Sequence, residues 1–243
     1  MDNTSTEEEE MTFSKEIKIG TKKSHSAAEN TKFVTAFLRG VVDEESYRKL
    51  ITDFYFVYSA LEEEFTRLND DPVLMLINFP ELWRTELIKK DLRYFYGPNW
   101  NTIIKPSEAC VQYVERIHEV AEYEPMLLIG HHYTRYLGDL SGGQILKGIA
   151  EKALDLPSGE GLNFYEFPDI SLPRMKKQFK KTYKKALDDL PLDMNTINAI
   201  ITEANYAFRL NMYIFDAVTT TDPYPVMTTL KGFWKVLRGT IKK

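Results

Sequence analysis

The chain has 243 residues, 43% apolar and 28% charged, with a formal net charge of −5. That length can bury one sizeable core. The acidic balance argues against a nucleic-acid partner, and the single cysteine, Cys110, excludes an internal disulfide framework or a multi-cysteine metal site.

No apolar run approaches the roughly 18 residues of a membrane span. The opening stretch is acidic and lacks both the apolar core of a secretory signal and the arginine-rich character of a transit segment, so the chain reads as cytoplasmic. Residues 1–12 read as an acidic, disordered head. Helical patterns follow over 12–28 and 31–40. Between Glu44 and Leu68, Tyr47, Leu50, Ile51, Phe54, Val57, Tyr58, Leu61, Phe65 and Leu68 make a stripe of helical period. Further patterns cover 81–95, 107–122, 125–155 and 172–189. A last long stripe runs from Leu192 through Ile200, Phe208 and Phe215 to Val218. Pro72, Pro80, Pro98, Pro106, Pro125, Pro157, Pro173 and Pro191 punctuate these blocks. No alternating strand pattern and no internal repeat is found, which predicts an all-α, single-domain multi-helix bundle over 13–220. Residues 221–243 read as a basic amphipathic tail, with Val226, Leu230, Phe233, Trp234, Leu237 and Ile241 on one face. Docking of that tail on the bundle is favoured over a membrane-surface role.

The segment His131 to Gln144 departs from ordinary helix design. Gly138, Gly142 and Gly143 lie inside a helix-compatible block, where each costs about 1 kcal/mol relative to alanine. Gly138 and Gly142, four apart, strip one strip of helix surface of side chains, with Arg135 and Asp139 at its border. A kink or close helix packing explains such a strip; so does a large flat ligand lying on bare backbone.

The run Tyr133 to Gln144, YTRYLGDLSGGQ, closely resembles the haem oxygenase signature. Similarity extends from about Ile17 to about Phe215 and includes Thr21–His25, Ala28–Asn30, Ala60–Glu64 and Tyr96–Trp100. It is strongest to the soluble cyanobacterial and algal members. The resemblance implies that haem is both substrate and prosthetic group, opened with O2 at the α-meso carbon to biliverdin, carbon monoxide and ferrous iron. No flavin or nicotinamide fingerprint is present, so electrons come from an external donor. Ferredoxin is implied by the photosynthetic relatives, with a flavoprotein reductase as the alternative. A monomer is expected.

Of the four histidines, His25 matches the family's proximal iron ligand. Glu29, one turn on, is placed to accept a hydrogen bond from its other ring nitrogen, and Lys18 to reach a haem propionate. His118, in Glu115-Arg-Ile-His118, shares a spacing with di-iron bundle sites, but no second copy exists and it reads as a partly exposed helix residue. His131 and His132 receive no role. The resemblance makes Lys180 and Lys184 propionate partners, with Tyr133 near that edge. Many relatives have arginine in place of Lys184, a two-pronged fork instead of a point charge, so the seating of haem is open to change. Phe208, Asn211 and Phe215 match pocket-lining positions, and Asn211, beside an apolar stripe, needs a polar partner. Asp139 is expected to order proton-delivering water, with Arg135 and Tyr133 extending that network and backbone at Gly138 and Gly142 forming a close distal wall. Two rival readings stay open: a haem-binding or delivery protein without turnover, and a thiaminase-like helical enzyme, for which Cys110 has no obvious base beside it.

Overall fold

In the computed structural model, residues 11–219 are described. Most of the acidic head and the basic tail predicted over 221–243 lie outside the described residues. Among the described residues the architecture is entirely helical, as the periodicity predicts.

The first predicted helix is two. α1 (Phe13–Gly20) and α2 (Lys22–Glu29) meet at Thr21. There the Thr21 hydroxyl donates 2.7 Å to the Ile17 carbonyl, and a Cβ on Gly20 would stand 2.6 Å from Ile201 Cγ2. The corner therefore needs glycine to press against the last helix. α3 (Lys32–Leu38) starts at Thr31, and α4 (Glu44–Arg67) at Asp43, whose carboxylate accepts from the Ser46 amide at 2.8 Å.

α5 (Thr85–Tyr96) begins four residues later than the pattern suggested. Pro80–Leu82 forms a short 3-10 turn, and the buried Glu62 carboxylate of α4 caps α5 by accepting from the Arg84 and Thr85 amides. That cap comes from 22 residues away, so local sequence could not reveal it. α6 (Trp100–Ile103), a single turn, was not anticipated. α7 (Glu108–Tyr123) carries the expected stripe, capped by Ser107.

The block predicted over 125–155 runs as one continuous rod with a widened turn. Its parts are α8 (Leu128–His132), a π turn (Tyr133–Leu137) and α9 (Gly138–Leu154). The glycines do not break it: Gly138 keeps φ −62° and ψ −50°. π turns admit one extra residue and recur at functional sites. α10 (Pro173–Asp188) and α11 (Met194–Val218) complete the chain.

α4, α7, α8 and α11 pack into the centre, with α5 on α4 and with α1, α2 and α3 laid on α11. Gly130 lets α8 touch α11, since a Cβ there would lie 2.9 Å from both Ala204 N and Ile200 O. Among the described residues no helix is long and apolar enough to cross a membrane.

Candidate active site

The bare strip is not a packing device. A Cβ built at Gly138 or at Gly142 meets nothing within 4 Å, whereas Gly143 backs onto Tyr165 Cδ1 at 3.4 Å. Among the described residues the first two glycines face open space beside a well-packed rod, so neither serves close packing against another described helix.

Asp139, next to Gly138 on the same rod, belongs to a buried polar chain. The Tyr58 hydroxyl, from α4, donates to Asp139 in a very short bond and accepts from Arg135 Nε at 3.0 Å and Nη2 at 2.7 Å. Arg135 also donates to Asn211 Oδ1, stands 3.7 Å from Asp139 and lies over the Phe54 ring at 4.2 Å. Asn211 thus has its polar partner. Its amide further donates to the Ala207 carbonyl at 2.9 Å and reaches the Tyr113 hydroxyl at 3.5 Å. Burial pushes the Asp139 carboxyl above the usual carboxylate range, opposed chiefly by the Arg135 charge.

α11 joins this network to α2. Phe208, one turn before Asn211, meets the His25 ring edge to face at 5.7 Å. His25 and Glu29 are both exposed, with Nδ1 to Oε2 at 3.5 Å, the edge of hydrogen-bond reach. Phe215 stacks on Phe33 at 6.0 Å. The half-buried Tyr133 interacts with Thr21 at the α1–α2 corner, so the glycine-bearing rod meets the His25 helix directly there and indirectly through α11.

Lys18 lies one turn after Ser14, which is bound through its amide (2.7 Å) and hydroxyl (3.1 Å) to Asp188 of α10. Lys184 is one turn before Asp188 and exposed; Lys180 is half-buried. The three ammonium groups therefore belong to two helices tied to each other.

The remaining histidines are structural in their contacts. His118 pairs with Glu64 at 2.6 Å, not with Glu115. His131, fully buried, bonds Glu203 at 2.9 Å, and Arg116 holds the other side of that carboxylate. Although burial raises it, these bonds keep the Glu203 carboxyl at about 2. His132 is fully buried against Phe65, Tyr136 and Tyr183, and burial lowers its pKa to about 3.

The neutral ring of His132 is the folded form. This residue therefore stabilises the fold fully above its unfolded pKa of about 6.5 and loses that contribution as pH falls toward 3, up to about 4–5 kcal/mol. Unfolding free energies measured across that window are expected to decline with acid, and His132→Phe to flatten the decline by about one proton. An unaltered slope in the variant would assign the decline elsewhere.

Tyr58 and Tyr113 were missed as network members. Tyr58 was counted only as part of an apolar stripe, yet a hydroxyl on a buried face demands a partner, and that was the available signal.

Among the described residues, the chain is all-helical, with a glycine-bared helix that carries a buried carboxylate–tyrosine–arginine network. The family model "Heme oxygenase" matches residues 11–217, and the chain belongs to that family. It is 52% identical to heme oxygenase 1 of the cyanobacterium Synechocystis over 201 residues, 83% of this chain and 82% of that protein. The crystal structure of heme oxygenase-2 from the same organism, in complex with heme and NO, superposes with a TM-score of 0.85 at 47% identity, covering 86% of this chain and 85% of the other. Heme oxygenase-1 of Synechocystis in complex with heme gives a TM-score of 0.82 at 46% identity, covering 96% and 100%.

Proposed function

We propose that this chain is a haem-degrading oxygenase that takes haem between α2 and α9. One observation carries the placement: the two glycines that meet no neighbour among the described residues flank Asp139 on one helix, and Asp139 belongs to the buried Tyr58–Arg135 chain. The residues suit a flat dianion. His25 offers an exposed imidazole backed by Phe208 and Glu29, and Lys18, Lys180 and Lys184, on two helices joined through Ser14 and Asp188, would serve the two carboxylates with the Tyr133 hydroxyl.

Haem supplies the iron at which O2 is held and activated once an external donor delivers electrons. The protein's part is positional. His25 would hold the iron, with Glu29 orienting its ring. Bare backbone at Gly138 and Gly142 would let α9 approach the macrocycle and would keep strong acids away from that face. Asp139, clamped by Tyr58 and Arg135, orders the water that passes a proton to the distal side. Cleavage at the α-meso carbon to biliverdin, carbon monoxide and ferrous iron follows the family resemblance. So do ferredoxin as donor, by kinship with cyanobacterial proteins, and action as a cytoplasmic monomer.

A single-turnover experiment tests this. The hemin complex, given ascorbate or reduced ferredoxin under O2, is expected to lose its Soret band and yield one biliverdin isomer and carbon monoxide. A Soret band that persists under reduction and O2 would make the chain a haem carrier instead.

A further inference from the structure

His132 and Tyr183 form a buried pair that the proposed chemistry does not use. His132 ends α8, directly before the π turn, and Tyr183 lies on α10 between Lys180 and Lys184. Both are fully buried. Nδ1 of His132 and the Tyr183 hydroxyl are 2.8 Å apart, and the two rings stack at 12° with centroids 5.5 Å apart. The surroundings are aromatic: Phe65 and Tyr136 on the histidine and Phe79 on the tyrosine.

Among the described residues, Nε2 of His132 has no hydrogen-bond partner. A neutral imidazole carries one N–H and one lone pair, so whichever tautomer is present, one of them is left unsatisfied in an apolar box. That is costly, and phenylalanine at both positions would fill the same box without the cost. What the histidine adds is a single directional bond between the rod that carries the bare glycines and the helix that carries the two lysines.

A helix packed through a smooth aromatic face can turn about its axis at little cost, whereas one pinned through a tyrosine hydroxyl cannot. Lys184 is the next residue after Tyr183, and Lys180 lies on the same face as Lys184, one turn earlier. We infer that the His132–Tyr183 hydrogen bond is a specificity-determining contact: it sets the angular seating of α10 against the distal rod, and so which meso edge of haem lies under Gly138 and Gly142. A point-charge lysine at 184 fixes a carboxylate less sharply than a planar fork, so the helix itself must be held in register. This rests on the reading of Lys180 and Lys184 as carboxylate partners.

The test uses His132→Phe, Tyr183→Phe and their combination, with Lys180→Ala/Lys184→Ala as the reference for the lysine reading. Two quantities are read: the ratio of in-plane haem orientations, from the shifted haem methyl resonances of the ferric cyanide complex, and the isomer composition of the bilin after turnover. Each single variant is expected to shift both ratios by roughly fivefold to tenfold, with the combination no worse than either alone, as for loss of one shared bond. Thermal unfolding should show the combination at least as stable as His132→Phe alone, which leaves the buried Tyr183 hydroxyl without its partner. If the lysine variant shifts the ratios while His132→Phe and Tyr183→Phe leave them unchanged, the inference fails and the lysine reading stands. If the lysine variant also leaves them unchanged, the reading of α10 beneath it fails.

Discussion

Asp139→Ala is expected to bind hemin with unaltered stoichiometry and the same histidine-ligated spectrum, while ring opening falls by about 10²–10⁴-fold, the usual contribution of a positioned proton-transfer group. The carboxylate accepts from Tyr58 and stands beside Arg135, which is itself bonded to Asn211. Removing it leaves that chain without its terminal acceptor, so water above the macrocycle loses its order but nothing that touches haem directly is lost. Peroxidase-like oxidation of added phenols should rise as bilin formation falls. The stability change has a defined sign. Because burial raises the carboxyl above its unfolded pKa, its ionised form costs folding free energy, and that cost develops as pH climbs through the unfolded value near 4. Asp139→Asn should therefore gain stability at neutral pH relative to pH 4. Bilin yield equal to the parent's in either variant would take Asp139 out of the mechanism.

Gly142→Leu should do the reverse: strengthen the fold and abolish binding. Leucine replaces a poor helix former, worth about 1 kcal/mol, at a position where a Cβ meets nothing within 4 Å. Its side chain then occupies the face against which the substrate lies, and hemin affinity is expected to fall by at least about 100-fold, the equivalent of roughly 3 kcal/mol. The same rod holds its own control. At Gly130, an added Cβ would strike α11 backbone at 2.9 Å, so Gly130→Ala should destabilise by about 1–3 kcal/mol through overpacking. Opposite responses at two glycines of one rod separate a ligand-bared surface from a packing contact. A Gly142→Leu protein that binds hemin normally would put the substrate elsewhere.

Much of this was legible before any coordinates. The long stripes of α4 and α11 persist over six or more turns, and their starts are marked by Asp43 and Asp193, whose side chains accept from amides three residues on. Such local signals survive without tertiary context. The start of α5 did not, because its cap is Glu62 on another helix. The α1–α2 break at Thr21 depends on contact between Gly20 and Ile201 of α11, which local sequence does not display. The π turn was hidden for a similar reason: glycines at 138 and 142 suggested a kink, whereas the extra residue sits ahead of them at Tyr133–Leu137. At the site, Asp139, Arg135 and Asn211 were picked out and form one network. Tyr58, which links them, resembled core because its neighbours on the stripe are core. His131 and His132, set aside as roleless, anchor the rod to Glu203 and Tyr183.

The central claim is that a porphyrin sits between the imidazole at position 25 and the side-chain-free face of α9. Spectral titration of the purified chain with hemin, alongside His25→Ala, tests it most directly. The parent should take up one equivalent tightly and show histidine-ligated iron, and the variant should lose that signature and recover it with added imidazole. A parent that forms no stoichiometric complex, or a variant whose spectrum matches the parent's, would contradict the account.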